Sequence, residues 1–164
     1  MRPAQTVMTD LLIHPVAFVR SSRLSPEDDF WGEMPAQIEL ASHLPDDALE
    51  GIETFSHVEV LYHFHAVDPQ KIIQGARHPR NNPDWPKIGI FAQRGKNRPN
   101  RLGSTICRVV AREHRVLHVL ELDAIDGSPV IDIKPVMQEF LPRGEVIQPQ
   151  WSHELMSQYW SQRT

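Results

Sequence analysis

The chain has 164 residues, 17 Lys and Arg against 21 Asp and Glu, and a formal net charge of −4. With 40% hydrophobic and 23% charged residues, it has the composition of one globular domain able to bury a sizeable core. The mild negative charge excludes a nonspecific nucleic-acid coat but not a local basic patch, and the lone Cys107 excludes an intrachain disulfide or a cysteine-only metal site.

No stretch approaches the ~20 apolar residues of a membrane span; the best run, 11–19, is broken by His14 and Pro15. Residues 1–10 hold one basic residue and no apolar signal core, so a cytoplasmic location is expected. Fourteen prolines against eight glycines imply fixed, extended connections and few long helices.

Residues 11–20 read as a first strand, with Ile13, Val16, Phe18 and Val19 apolar. Residues 21–35 are polar, acidic in the middle, and carry Phe30 and Trp31, which either lie over a ligand or pin an irregular loop. A short strand over 37–42 places Ile38 and Leu40 on one face, and 45–51 fits one helical turn closed by Gly51. The clearest strand is 56–65: Val58, Val60, Tyr62 and Phe64 share one face, and His57, Glu59, Leu61, His63 and His65 the other. A long loop over 67–86 contains Arg77-His78-Pro79-Arg80; loops of this length inside a compact domain are usually functional or mobile.

The chain is organised around 88–105. Ile88, Ile90 and Ala92 begin a strand, which breaks into the turn-forming, cationic run from Arg94 to Arg101. Gly103 closes that run, and a further strand starts near Thr105 and continues over 106–111. Such a loop either presents donors to an anionic or polar ligand at a sheet's rim or is a solvated hairpin tip. Residues 116–122 are apolar on both faces and should be buried, 123–129 turn at Asp126-Gly127, and 129–134 form a last strand with Ile131 and Ile133 inward. Trp151, Leu155 and Tyr159 recur every four residues, so 151–162 reads as a short amphipathic helix packed on the barrel or on a partner subunit. The fold is therefore all-β: a single small antiparallel β-barrel of about seven strands, with a helical turn and a C-terminal helical tail.

The usual chemical motifs are absent. There is no Gly-x-Ser-x-Gly elbow, no Gly-x-Gly-x-x-Gly and no P-loop. His63-x-His65 spaces two imidazoles suitably for a metal, but no third ligand shows recognisable spacing, so no metal is expected. Among the carboxylates, Asp132 with Lys134 reads as an outer strand face, Asp126 as turn chemistry, and Asp123 stands beside them. These residues alone lead to a small barrel with a polar, cationic rim site.

Taken together, Gly51-Ile-Glu-Thr-Phe-Ser-His57, Tyr62-His-Phe-His65, His78-Pro-Arg80, Gly89-Ile-Phe-Ala-Gln-Arg94, Arg98-Pro-Asn100, Leu102-Gly103 and Asp126-Gly-Ser-Pro-Val-Ile-Asp-Ile-Lys-Pro135 resemble the TsaA-like (TrmO) family. The resemblance covers about residues 11–135, leaving 136–164 as a short tail. It implies a β-barrel, usually dimeric, that binds S-adenosylmethionine and methylates a modified adenosine beside the tRNA anticodon. It further implies cofactor contacts from His65, Ala66, Arg94, Ser104 and the turn Asp126, Gly127, Ser128 and Pro129. The turn would offer backbone groups to an adenine edge, and Arg94 a fork for a carboxylate or a plane for a ring. Asp126 is a candidate base. Arg77, Arg80, Lys96, Arg98 and Arg101 would engage tRNA phosphates. The family's Arg-Pro-Asn-Pro reads Arg98-Pro-Asn-Arg101 here, and Phe30-Trp31-Gly32 lies where the family has Pro-Arg-Gln. The alternatives are an S-adenosylmethionine-sensing module that transfers nothing, and a metal-dependent barrel enzyme using His63 and His65.

Overall fold

The computed structural model describes residues 9–164; residues 1–8, most of the stretch read for a leader, lie outside it. Six antiparallel strands close a barrel in the order β1-β2-β7-β6-β3-β8. They are β1 (Ala17–Ser21), β2 (Pro35–Leu40), β3 (His57–His63), β6 (Leu102–Glu113), β7 (Val116–Leu120) and β8 (Pro129–Pro135). The remaining two, β4 (Ala76–Arg77) and β5 (Ile88–Gly89), pair as a separate ribbon. Period-2 alternation builds the core: Val19, Ile38, Val58, Val60, Tyr62, Leu117, Val119 and Val130 all point inward. Fully burying one such aliphatic side chain contributes about 1.5–3 kcal/mol.

Several expected boundaries move. The first strand begins only at Ala17; Leu11, Leu12 and Ile13 before it are exposed and add nothing to the barrel core. β3 ends at His63, so His65 lies in a turn beyond the strand rather than on a shared histidine face. The strand expected over 88–92 is two residues long and turns at once into a 3-10 turn, Ile90–Ala92, which buries Ile90 and exposes Phe91. Gly103 does not close the cationic loop. It lies inside β6 opposite Tyr62, where a Cβ would come within 2.5 Å of Tyr62 Cζ and 2.9 Å of Phe64 Cζ. The glycine makes room for that edge-on aromatic pair, whose ring centroids are 5.2 Å apart.

In β8 the inward residue is Val130, not Ile131. The pairing with β3 slips between Leu61↔Asp132 and Tyr62↔Val130, leaving Ile131 as the extra residue of a bulge. That slip reverses the alternation, so Val130 and Ile133 both reach the core. The long loop over 67–86 is fastened by 3-10 turns at Pro69–Lys71 and Pro79–Asn81 and by β4.

The C-terminal helix α1 (Gln150–Met156) is shorter than expected. Beyond it the carbonyls of Gln158 and Tyr159 accept from the amides of Phe30 (3.1 Å) and Trp31 (2.8 Å). Those bonds turn the tail onto its own barrel. No helix of the described residues is long and apolar enough to cross a membrane.

Candidate functional site

Three segments converge on Asp123, just past β7. Tyr62 of β3 donates its hydroxyl to Asp123 Oδ1 at 2.8 Å, Thr105 of β6 donates to the same oxygen, and Tyr159 of the tail donates to Oδ2. Burial, and then the Asp123 charge, push both phenols far above their ordinary range, so they remain O–H donors. The same two causes, in the same order, raise the thiol of Cys107 to about 12. The sequence sets this carboxylate beside Asp126 and Asp132 but assigns it no partners. Its signal was a carboxylate, two residues after Glu121, inside the otherwise mostly apolar run from Val116 to Ile125.

Some expected cofactor residues meet, in two separate pairs. His65 lies against the Asp126 turn: a Cβ placed on Gly127, whose φ is +76°, would be 3.7 Å from His65 Nε2. Arg94 donates from its guanidinium to the Ser104 carbonyl at 2.5 Å, and Ser104 Oγ donates to Glu59 at 2.8 Å. Ala66 is exposed beside His65. The turn's amides, however, are committed to the fold. Those of Asp126, Gly127 and Ser128 donate to Arg23, Val19 and Ile125 carbonyls, and Pro129 has none. What the turn can present is therefore carbonyl oxygens, together with the Asp126 carboxylate, whose Oδ1 already accepts from the Ser21 amide at 3.0 Å.

The first loop is pinned rather than laid open. Arg23, only 7% exposed, stacks its guanidinium 3.8 Å from the Trp31 ring centroid and donates to the carbonyls of Asp29 and Phe30. Burial lowers its pKa, partly offset by Glu27. That loop also meets the expected phosphate contacts. Arg80 forms a forked pair with Asp29 at 2.8 and 2.9 Å, and Lys96 pairs with Asp28 at 3.0 Å. Arg98 and Arg101 donate to the carbonyls of Gln93 and Val67. Arg77 packs against Gly95, with its Nε buried and without a partner. Phe30, Arg80, Asn81, Asn100, Arg101 and Glu121 all have positive φ. Left-handed non-glycine residues carry strain that tends to gather at functional sites, and no sequence pattern announced these.

His63 is partly buried and faces Arg101 and His65; burial first, then those charges, lower its pKa. Among the described residues no group of three or more His, Cys, Asp or Glu could hold a metal. A groove of about 540 Å³ runs along β1, β2 and β7 past Asp126, but His65, Arg94 and Ser104 do not line it.

Residues 20–140 match the model of the tRNA-methyltransferase O N-terminal domain. The chain is 31% identical over 142 residues to the "Probable S-adenosyl-L-methionine-binding protein" of Pyrococcus abyssi, covering 80% of this chain and 71% of that one. It is 34% identical over 105 residues to the human "tRNA (adenine(37)-N6)-methyltransferase", covering 64% of this chain and 23% of that one. The crystal structure of TrmO from Pseudomonas aeruginosa is 25% identical, with a TM-score of 0.66, covering 85% of this chain and 62% of that one. The chain thus spans less than two thirds of the human enzyme and of the solved TrmO chain.

Proposed function

The chain belongs to the family of the tRNA-methyltransferase O N-terminal domain, and from that premise we propose that it binds S-adenosylmethionine at the mouth of the barrel and methylates the amino group of a modified adenosine beside the tRNA anticodon. The observation that carries this reading is the meeting of His65 with Gly127, from segments far apart in sequence, and of Arg94 with Ser104 across the cationic loop. The donor set suits the cofactor. Arg94 has guanidinium donors to spare for a carboxylate, the glycine leaves space beside His65, and the Asp126 turn supplies oxygens. His65, Ala66, Arg94, Ser104, Asp126, Gly127, Ser128 and Pro129 would hold it.

When bound, S-adenosylmethionine supplies a methyl group on a cationic sulfur. The protein's task is to hold the acceptor nitrogen in line with that methyl, ~3–3.5 Å away, and to keep water out. Asp126, with Oδ1 committed to Ser21, keeps Oδ2 to take the proton that leaves the nitrogen. Arg77, Arg80, Lys96, Arg98 and Arg101 would meet phosphates, Arg80 and Lys96 by exchanging Asp29 and Asp28 for them. On this reading the barrel, 11–135, carries the cofactor and the tail, 136–164, covers it. The protein works in the cytoplasm as a homodimer; the exposed Ile106 and Val110 of β6, with Phe140, Val146 and Ile147, offer apolar surface for the second copy.

The test is transfer of labelled methyl from S-adenosylmethionine to tRNA lacking the modification. Label in the anticodon loop supports the reading. The second reading, a sensing module that transfers nothing, is favoured by the neutralisation of Arg80 and Lys96 by Asp28 and Asp29; cofactor binding without transfer would establish it.

A further inference from the structure

The turn Ile90–Ala92 buries Ile90 and leaves Phe91 76% exposed. A lone exposed apolar side chain is common on a protein surface, but this one stands on a clamped turn. The Ile90 amide donates to the Gly75 carbonyl at 3.0 Å, and the Gln93 amide to the Ile90 carbonyl at 3.2 Å. The Gln93 side chain, itself buried, donates through Nε2 to the carbonyls of Ile88 at 2.9 Å and Arg77 at 3.2 Å. Those bonds fasten the turn to both strands of the β4–β5 ribbon. Arg98 adds a bond to the Gln93 carbonyl at 2.7 Å. The Phe91 ring is therefore held out on a fixed base, and among the described residues no ring or cation stacks on it.

The surroundings carry the charge of an anion-binding surface. From Lys71 to Arg101 the chain holds eight Lys or Arg and one carboxylate, Asp84, although the whole protein is −4. Arg80 and Lys96 are cancelled by Asp29 and Asp28. Lys71, Arg77, Lys87, Arg94, Arg98 and Arg101 form no ion pair among the described residues. By contrast, Arg20, Arg108, Arg112 and Arg115 of the barrel are each paired. Arg77 pairs with Ile88 in the ribbon and Arg98 reaches Gln93, so these cations flank the turn in space as well as in sequence.

An occupant of this surface must be anionic and must offer a flat face to the ring. Unpaired RNA meets both needs, because every base has a π face and every link a phosphate; a duplex keeps its base faces inside the stack. We infer that Phe91 is the platform on which an unpaired base of the acceptor RNA stacks, with Arg77, Lys87 and Arg98 holding the adjoining phosphates. This rests on the tRNA reading above and adds to its cations a residue that tells looped RNA from paired RNA. Arg94, three residues on and bonded to Ser104, sets the platform beside an expected cofactor residue.

The experiment is fluorescence anisotropy of a labelled anticodon stem-loop, and of an RNA duplex of equal length, over a range of salt. The proteins are the full-length wild type, Phe91→Ala, Phe91→Leu, Phe91→Trp and Arg98→Ala, each also titrated with S-adenosylmethionine and sized by light scattering. Phe91→Ala should weaken stem-loop binding roughly tenfold, and Phe91→Trp should keep it, as a stacking contact requires. The log–log salt slope of Phe91→Ala should equal that of the wild type, whereas Arg98→Ala lowers it by about 0.7–0.9. Duplex and S-adenosylmethionine affinities of Phe91→Ala should not change. Phe91→Leu that binds the stem-loop as well as Phe91→Trp would reduce the contact to apolar burial and overturns the inference. So does Phe91→Ala that weakens S-adenosylmethionine as much as RNA, or that is monomeric where the wild type is dimeric, since the ring would then serve the cofactor or a second copy. Unchanged stem-loop affinity in Phe91→Ala alongside a weakened Arg98→Ala overturns the inference and leaves the tRNA reading standing. Wild-type protein that binds no RNA overturns both.

Discussion

Replacing Gly32 with Ala should detach the C-terminal tail while leaving the barrel closed. Gly32 does not have a left-handed φ, so alanine adopts its backbone without strain. The added methyl instead overlaps the Trp160 carbonyl, a backbone group fixed by the neighbouring bonds from Phe30 and Trp31. The clash cannot cost more than the docking it disrupts, so the tail should lift away. The loss then comprises the Tyr159 bond to Asp123, about 1.5–3 kcal/mol for a charged partner, and the net value of two backbone bonds, about 1 kcal/mol each. A total of about 3.5–5 kcal/mol lowers the melting temperature by on the order of 10 °C for a chain of this size. Hydrogen exchange supplies the local readout: the Phe30 and Trp31 amides should lose protection, whereas those of β3 and β6 keep theirs. Gly75→Ala is the control, since nothing lies within 4 Å of its Cβ, and it should be neutral or slightly stabilising. A Gly32→Ala protein that melts with the wild type and keeps both amides protected would show that Gly32 does not hold the tail.

Cys107, buried and with its thiol raised to about 12, should not react with a thiol reagent in the native protein; a full signal within seconds, before denaturant is added, would contradict this. His63 has a lowered pKa in the folded state, so its contribution to stability is complete above the ordinary value of 6.5 and is lost as pH falls through the lower folded value. Accordingly, the melting temperature of His63→Gln should drop less than that of the wild type between about pH 7 and about pH 5; equal drops would remove His63 from the account. Asp28→Asn with Asp29→Asn frees Arg80 and Lys96 and should tighten tRNA binding, steepening the log–log salt dependence by about 0.7–0.9 for each phosphate gained. An unchanged slope would mean those cations serve only the loop. Light scattering should give twice the 18.8 kDa chain mass; a monomer would remove the dimer from the proposal.

The barrel was legible because alternation is a local property. Val58, Val60 and Tyr62, or Ile38 and Leu40, announce an inward face without reference to any partner. Bulges are not local: Ile131 reads as inward until the pairing with β3 slips by one residue, a result of barrel closure rather than of the sequence around it. Gly103 was misplaced for a similar reason, since its role is set by aromatic rings on the neighbouring strand. In the candidate site, the turn at Asp126 and the cation at Arg94 were visible as motifs. The Asp123 cluster was not, because its donors come from β3, β6 and the tail. The pairing of Asp28 and Asp29 with Lys96 and Arg80 was equally hidden: a basic loop and an acidic loop each looked solvated until the fold brought them together.

The most direct measurement is a calorimetric titration of S-adenosylmethionine into the purified protein, with Arg94→Ala measured alongside. Saturable binding at one site per chain is expected, weakened in the variant by about 1.5–3 kcal/mol, the value of a charge-assisted hydrogen bond. No heat and no thermal shift at millimolar cofactor would contradict it.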